Sequence, residues 1–357
     1  MLHERKREGY PGFANMEFMT DVIVVGGGII GGSIAWRLAQ AGATVTLVEA
    51  GAMGGEASWA GAGMLAPGGE FAARTGWAEF ALKSLAQYPA YVEELQSETG
   101  LGIDYRRSGA LEIASTEGEW QELMARRAAQ SAMGIRSEVT NRGLYYPDDA
   151  LVDPRDVTRA LRCACEKRGV TVREQTRVEA VRAGGGRVEV ETGGGVLPGE
   201  AVVLAAGAWS GSIPVFGPHG RIDIPATFPV RGHLLGYTLE PGSVGPILRH
   251  GHTYVMQRSS GFTIAGTSSE QVGFNRHVDP RVVEDIRARA GELLPRLGSA
   301  PEPTAWLGFR PATEGFQPAI GRVADTGLWL AYGHYRNGIL LAPATASQVA
   351  GEIAGGG

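Results

Sequence analysis

The sequence predicts an α/β protein in which both ends of the chain build one parallel-sheet domain and the middle supplies a second, β-rich one. Three observations carry this. Near the start, a short β-branched run (residues 21–25) leads through a glycine-rich turn into a helical stripe and a second strand at 44–49, a βαβ unit of about thirty residues. Near the other end, strand, glycine turn and helix recur from residue 328 onward. Between them, from about residue 221 to 266, the pattern becomes short alternating strands with tight turns.

Each element has a local reason. Residues 21–25 (DVIVV) carry β-branched side chains toward both faces, as in a strand covered on both sides. Ile30, Ile34, Leu38 and Ala41 then recur at helical spacing until Gly42 ends the helix. A helical pattern runs from 78 to about 98, and a strand over 111–114 follows the turn at Gly109. Asp153 and Pro154 are the cap and first position of a helix to residue 168. Strands are expected at 170–173, 187–191 and 200–205, with hairpin turns at Gly184–Gly186 and Gly193–Gly195. A hairpin turns over 259–261. Asp279-Pro280 opens a helix with the stripe Val282, Val283, Ile286, Ala290, Leu293 and Leu294, closed by Pro295 and Gly298. A strand at 328–331 and a helix through residue 353 finish the pattern.

Composition narrows the function classes. A chain of 357 residues accommodates two domains and needs no disulfide or structural metal. The net charge of −5 removes any electrostatic case for nucleic acid. Cys163 and Cys165, two apart on a predicted helix, face different directions and cannot bridge, which suits a reducing cytoplasm. Residues 1–18 are polar and charged, unlike a signal peptide, and are expected to be a disordered extension. The apolar run from residue 21 is broken by early glycines and Arg37, so it is not a membrane span. Cytoplasmic location is expected, and a homo-oligomer is left open.

The chemistry starts at Gly26-Gly27-Gly28-Ile29-Ile30-Gly31, a G-x-G-x-x-G pattern. Gly26 permits the tight turn, Gly28 lets backbone approach a pyrophosphate, and Gly31 lets the helix pack on the strand. The helix opening at Ile29 and Ile30 offers N–H groups and a positive dipole end to phosphates. Glu49, followed by Ala50, ends the second strand, where a carboxylate accepts from ribose hydroxyls and repels a 2′-phosphate. Together these predict a bound dinucleotide. The next segment, VEAGAMGGEASWAGAGMLAP, is long, small and nearly uncharged. A flat isoalloxazine ring needs such backbone along one face, so FAD is expected rather than NAD. The strand at 200–205 ends in Ala206-Gly207, small residues at the C-terminal edge of a parallel strand, where ligands bind.

From about residue 21 onward the chain resembles the D-amino-acid-oxidase-type family of FAD-dependent oxidoreductases, and most of all its glycine-oxidase-like members. The resemblance rests on the opening fingerprint with Glu49, then Ser58 and Ala62-Gly63-Met64-Leu65, which match the family's flavin loop. It continues through Tyr145-Tyr146-Pro147, Val152-Asp153-Pro154-Arg155, Ala206-Gly207-Ala208-Trp209-Ser210 and Pro229-Val230-Arg231-Gly232. It closes with Gly308-Phe309-Arg310-Pro311 and the block from Gly333-His334-Tyr335-Arg336 through Asn337-Gly338-Ile339 to Pro343. It implies a Rossmann-like FAD-binding domain of the GR2 type, from residues 19–86, 146–222 and 303–357. An interleaved α+β substrate domain, rich in β-sheet, would take 87–145 and 223–302.

The resemblance also implies roles. Val178 would touch the adenine side of FAD, and Trp209, His334, Arg336 and the Asn337-Gly338-Ile339 turn would lie at the cofactor. Arg310 is cast as the clamp for a substrate carboxylate, Tyr254 as a donor to the same carboxylate, and Arg336 as a residue near flavin and substrate. A planar guanidinium suits bidentate carboxylate binding. The helix after Ile339 would stabilise negative charge on reduced flavin. No acid–base pair or nucleophile stands out. An amine bound uncharged can then lose hydride from Cα to flavin N5, with the protein supplying orientation. The imine hydrolyses to an oxo acid, and molecular oxygen accepts the electrons as hydrogen peroxide. The C-terminal blocks hold no cysteine, so FAD is expected to be non-covalent. His250 and His252 are read as surface or core histidines rather than a metal pair.

Two departures from the family pattern bear on the substrate. His233 stands where relatives commonly carry glutamine, and Thr267, Ser268 and Ser269 bring hydroxyls, with Ser268 expected to make the pocket more polar. Glycine leads, with sarcosine, D-alanine, D-proline or an aminomethyl group as related candidates and thiamine thiazole synthesis as a possible context. Two alternatives stand beside it: a flavin dehydrogenase serving a quinone or partner protein, and a non-catalytic flavin-binding module.

Overall fold

The computed structural model describes residues 20–324 and 326–355, and the expected extension at 1–18 lies outside them. The chain opens with β1 (Thr20–Val25), α1 (Ile29–Gln40) and β2 (Val45–Val48), followed by α2 (Gly76–Thr99), α3 (Pro154–Lys167) and β3 (Thr171–Arg173). After β4 (Gly195–Leu204) come β5 (Thr227–Thr238), β6 (Thr253–Gln257) and β7 (Phe262–Gly266). The chain then forms α4 (Pro280–Leu293), β8 (Thr304–Thr313), β9 (Leu328–Tyr332) and α5 (Gly338–Gly355).

β1 lies between β2 and β4, with β3 beyond β2 and β9 beyond β4, all parallel. Its position explains its composition. Val22 and Val24 face a core shared with α1, α2, α3 and α5. Ile23 and Val25 face a second core supplied by the hairpin of Val178–Gly184 and Arg187–Thr192. β4 is long enough to serve two partners. Its first half pairs antiparallel with Arg187–Thr192 and its second half parallel with β9. The two ends of the chain are tied directly: Ser84 Oγ donates to Leu340 O at 2.7 Å and Tyr88 OH to Ile339 O at 2.6 Å, fixing α2 against the first turn of α5.

The second sheet runs β8, β5, β7, β6, Ile247–His250, Ala110–Ile113, Gly143–Tyr146, Glu138–Val139. One face packs on Ile286, Ala290 and Leu293 of α4. On the other, Leu234, Tyr254, Met256, Ile264 and Trp306 pack with Ala60, Ala62 and Leu151. The glycine- and alanine-rich loop after Glu49 therefore lies between the two sheets.

Three segments differ from the sequence expectation. Residues 304–313, grouped with the cofactor domain, pair with β5 along their length and extend the second sheet. Residues 87–99, grouped with the substrate domain, belong to α2, whose Tyr88, Tyr91, Val92 and Leu95 fill the first domain's core. A helix at Glu117–Ser131 was not anticipated, although Thr116 and Glu119 form a reciprocal capping box at its start.

Asp279 caps α4 by accepting from Arg281 N at 2.9 Å. Asp279→Ala is expected to cost about 1 kcal/mol, read as a lower urea midpoint at unchanged m-value, with Asp279→Asn restoring most of it. Equal losses in both variants would show that the cap bond is not the source.

Candidate active site

A cleft of about 1930 Å³ runs between the two sheets. Every site residue singled out from the sequence lines it except Gly31. Gly31 lies on the inner side of the turn, where a Cβ would collide with the carbonyl oxygen of Gly26; its part is to let α1 approach β1. Gly26 has φ +106°, and a Cβ there would strike Ala205 at the end of β4. Gly28 differs: an added Cβ would meet only Ser58 Oγ, at 3.3 Å. Gly28 has no side chain with which to cap α1, and Ser58 Oγ instead accepts from Ile29 N at 2.9 Å. Glu49 Oε2 accepts from Gly27 N and Oε1 from Gly51 N, both at 2.7 Å. One hydrogen bond per oxygen fixes the carboxylate and leaves lone pairs for a ligand.

Ala50, Val178, Ala206, Gly207 and Trp209 continue the wall along the first sheet, and Ala62, Gly63 and Met64 form the small-residue segment that reaches the second. His334, Arg336, Asn337, Gly338 and Ile339 close the end where α5 begins. His334 is buried with Nε2 3.1 Å from Thr345 Oγ1, and burial pushes its pKa down to about 3. It is neutral at physiological pH.

The second sheet contributes two side chains laid across its face. A Cβ on Gly266 would lie 2.6 Å from Tyr254 OH, and one on Gly232 would overlap the Arg310 guanidinium. These glycines let the two long side chains lie flat on the strands between them. Arg310 Nη2 donates to Thr267 Oγ1 at 2.7 Å, and Nη1 to Ser268 O at 3.0 Å and Arg231 O at 3.5 Å. Among the described residues, Nε–H and one Nη2–H have no partner and no carboxylate forms an ion pair with Arg310. Burial lowers its pKa from the ordinary guanidinium value, yet the group stays charged. Burial pushes the Tyr254 phenol up to about 12, so it remains a donor, and its hydroxyl has no hydrogen-bond partner among the described residues.

Arg336 is not held with this pair. It is half-exposed and bonds through Nε to Glu70 Oε2 at 2.6 Å, with Asn337 Nδ2 3.4 Å from the same oxygen. Ser268 lines the cleft beside Glu270, and its hydroxyl donates to Glu270 Oε2 at 2.9 Å. His250 and His252 also line the cleft, and His250 Nε2 stands 3.2 Å from Glu119 Oε1. The groups missed from sequence are the supports: Thr267 under Arg310, and Glu70 beside Arg336. Hydroxyls at 267–269 were visible in the sequence, but the partners of Thr267, His233 O and Arg310, lie on other strands.

The family model for FAD dependent oxidoreductases matches residues 21–351. The chain belongs to this FAD-dependent oxidoreductase family. Its cofactor is FAD. The glycine oxidase of Bacillus licheniformis is 32% identical over 348 residues, covering 94% of this chain and 93% of that protein. The glycine oxidase of Pseudomonas aeruginosa is 34% identical over 351 residues, covering 94% of each. The bifunctional protein ThiO/ThiG of a Synechocystis strain is 34% identical over 354 residues; this chain spans 52% of its length. The crystal structure of glycine oxidase from Geobacillus kaustophilus superposes with a TM-score of 0.87 at 29% identity, covering 94% of this chain and 95% of that one.

The residues present fit FAD. The Gly26 turn and the start of α1, where Ser58 takes only the Ile29 N–H, would cradle a pyrophosphate, Glu49 would accept from a ribose, and the start of α5 opens on the cleft's far end. Both cysteines are free, sit on α3 and do not line the cleft.

Two outcomes follow. Gly28→Val is expected to keep a native circular dichroism spectrum but purify without flavin absorbance, whereas Gly31→Val loses the fold with the flavin. A yellow Gly28→Val protein would refute the pyrophosphate placement. The depressed pKa of His334 makes its stability contribution complete above about 6.5 and progressively lost as pH falls toward about 3. His334→Gln should flatten the decline of the denaturation midpoint below pH 6.5; an unchanged slope would assign the decline to other groups.

Proposed function

We propose that this chain is an oxygen-using oxidase of glycine or a closely related small amino acid. The observation that carries the reading is Arg310: a charged guanidinium lining the FAD cleft, with donors unspent and no carboxylate paired with it among the described residues. A free amino acid supplies the missing carboxylate, and the Tyr254 hydroxyl supplies a further donor. The kinship with glycine oxidases supports glycine, and kinship with a protein named ThiO/ThiG supports a place in thiamine thiazole synthesis. No described helix is long and apolar enough to cross a membrane, and we place the enzyme in the cytoplasm.

In this reading the second sheet presents the substrate. Arg310 and Tyr254 anchor the carboxylate and so fix the direction of the Cα–H bond. Leu234 and Ala60 on the cleft wall, with Trp306 packed behind them, exclude water. Bound FAD supplies the two-electron acceptor for that bond. The start of α5, by its dipole, favours added negative charge at its end of the cleft. The overall conversion takes glycine, water and oxygen to glyoxylate, ammonia and hydrogen peroxide. The residues proposed for the cofactor are Gly26, Gly28, Ile29, Ile30, Glu49, Ala50, Ser58, Ala62, Gly63, Met64, Val178, Ala206, Gly207, Trp209, His334, Arg336, Asn337, Gly338 and Ile339, with Gly31 acting through packing.

The deciding experiment is anaerobic titration of the purified protein with glycine, sarcosine, D-alanine and D-proline, then exposure to air with peroxide detection. Bleaching by one of them, with recovery and peroxide, is the expected result. Bleaching without peroxide would make the protein a dehydrogenase, and no bleaching would remove the substrate assignment. Arg310→Ala is expected to raise KM at least about a hundredfold, the equivalent of about 3 kcal/mol, with FAD retained. Loss of FAD instead would overturn the role given to Arg310.

A further inference from the structure

Behind Arg310 lies a polar network that the proposed reaction does not use. Thr267 Oγ1, which accepts from Arg310, itself donates to His233 O at 2.9 Å. Ser268, whose carbonyl accepts from Arg310, is held by its hydroxyl: it accepts from His233 N at 3.0 Å and donates to Glu270 Oε2 at 2.9 Å. His233 is fully buried. Its Nε2 accepts from Asp279 N at 3.2 Å, so the proton sits on Nδ1, 3.0 Å from both Ser268 Oγ and Glu270 Oε2. Glu270 is gripped by the buried Arg231 through Nη2 at 2.7 Å and Nε at 3.2 Å, and the two residues also exchange backbone bonds. Arg231 Nη1 goes on to the carbonyls of Asn275 and His277.

Every acceptor that orients Arg310 is thus fixed by this cluster. Arg231 O and Ser268 O belong to residues bound to Glu270, and Thr267 Oγ1 is bound to the carbonyl of His233. A guanidinium without an ion-pair partner turns freely unless its acceptors are rigid, and bidentate binding of a carboxylate depends on the plane of the fork.

We propose that Glu270, with His233 and Ser268, forms the positioning device that sets the plane of the Arg310 guanidinium and thereby the affinity for the substrate carboxylate. This inference rests on the reading of Arg310 as the carboxylate clamp. Glu270 touches no reacting atom and acts through Ser268 and Arg231. The charge of Glu270 neutralises Arg231, which leaves Arg310 as the guanidinium of this pair with no counter-ion among the described residues.

The test uses the FAD-loaded enzyme and acetate, a carboxylate without an amine, measured by calorimetric titration beside glycine kinetics. Glu270→Gln is expected to weaken acetate about tenfold and raise KM for glycine in parallel, with kcat and FAD content nearly unchanged. Ser268→Ala should do the same more mildly, and Ser268→Thr, which keeps the hydroxyl, should restore binding. The double variant Glu270→Gln/Arg310→Ala should be no worse than Arg310→Ala alone, because both act on one contact. Additive losses, or acetate affinity unchanged in both Glu270→Gln and Ser268→Ala, would overturn the proposal while leaving the clamp standing. If Glu270→Gln fails to fold, the two Ser268 variants and their combinations with Arg310→Ala decide. Acetate binding that survives Arg310→Ala, or is absent from the unaltered enzyme, would overturn the clamp and this inference with it.

Discussion

A guanidinium held by oxygen atoms that carry no formal charge organises the second half of this molecule. Arg310 leans on two carbonyls and a hydroxyl, and no carboxylate neutralises it among the described residues. Such a group is costly to bury alone, so its environment must be rigid and its vacant donors must be useful. The constraint propagates outward. Gly232 must lack a Cβ for the side chain to lie flat, and β5 must stay in register with β8 so that Gly232 sits beneath it. The loop after β7 must present Thr267 and Ser268 at the right height.

The same logic of small residues governs the nucleotide half. Gly26 and Gly31 make room for protein against protein, where β1, α1 and β4 meet. Gly28, with only Ser58 nearby, makes room for something else. That difference separates glycines that build the turn from the glycine whose open side faces the cleft, although all three stand in one motif.

Much of this was legible from the chain. The opening βαβ unit, the caps at Asp153 and Asp279 and the hairpin at 259–261 depend on local periodicity and turn chemistry, and the structure forms them where those signals lie. Arg310 and Tyr254 were assigned by resemblance, and the structure brings both to one wall of the cleft. The illegible parts are non-local. Nothing in TAWLGFRPAT says that it pairs with β5 rather than joining the parallel sheet. Nothing near Arg336 announces Glu70, which comes from a distant loop. Nor does the sequence near Ser268 announce that its hydroxyl accepts from His233 N on β5.

The way β4 is shared has a consequence for biogenesis. Its second half is flanked by β1, made among the first described residues, and by β9, made near the last. Until β9 emerges from the ribosome, one edge of the second half of β4 has no neighbour, and the helix that opens on the far end of the cleft does not yet exist. The nucleotide cradle at the start of the chain is therefore translated long before it can close. The nascent protein must hold one open edge along the second half of β4 while the second sheet is made, so the first domain is completed only after the second has been translated.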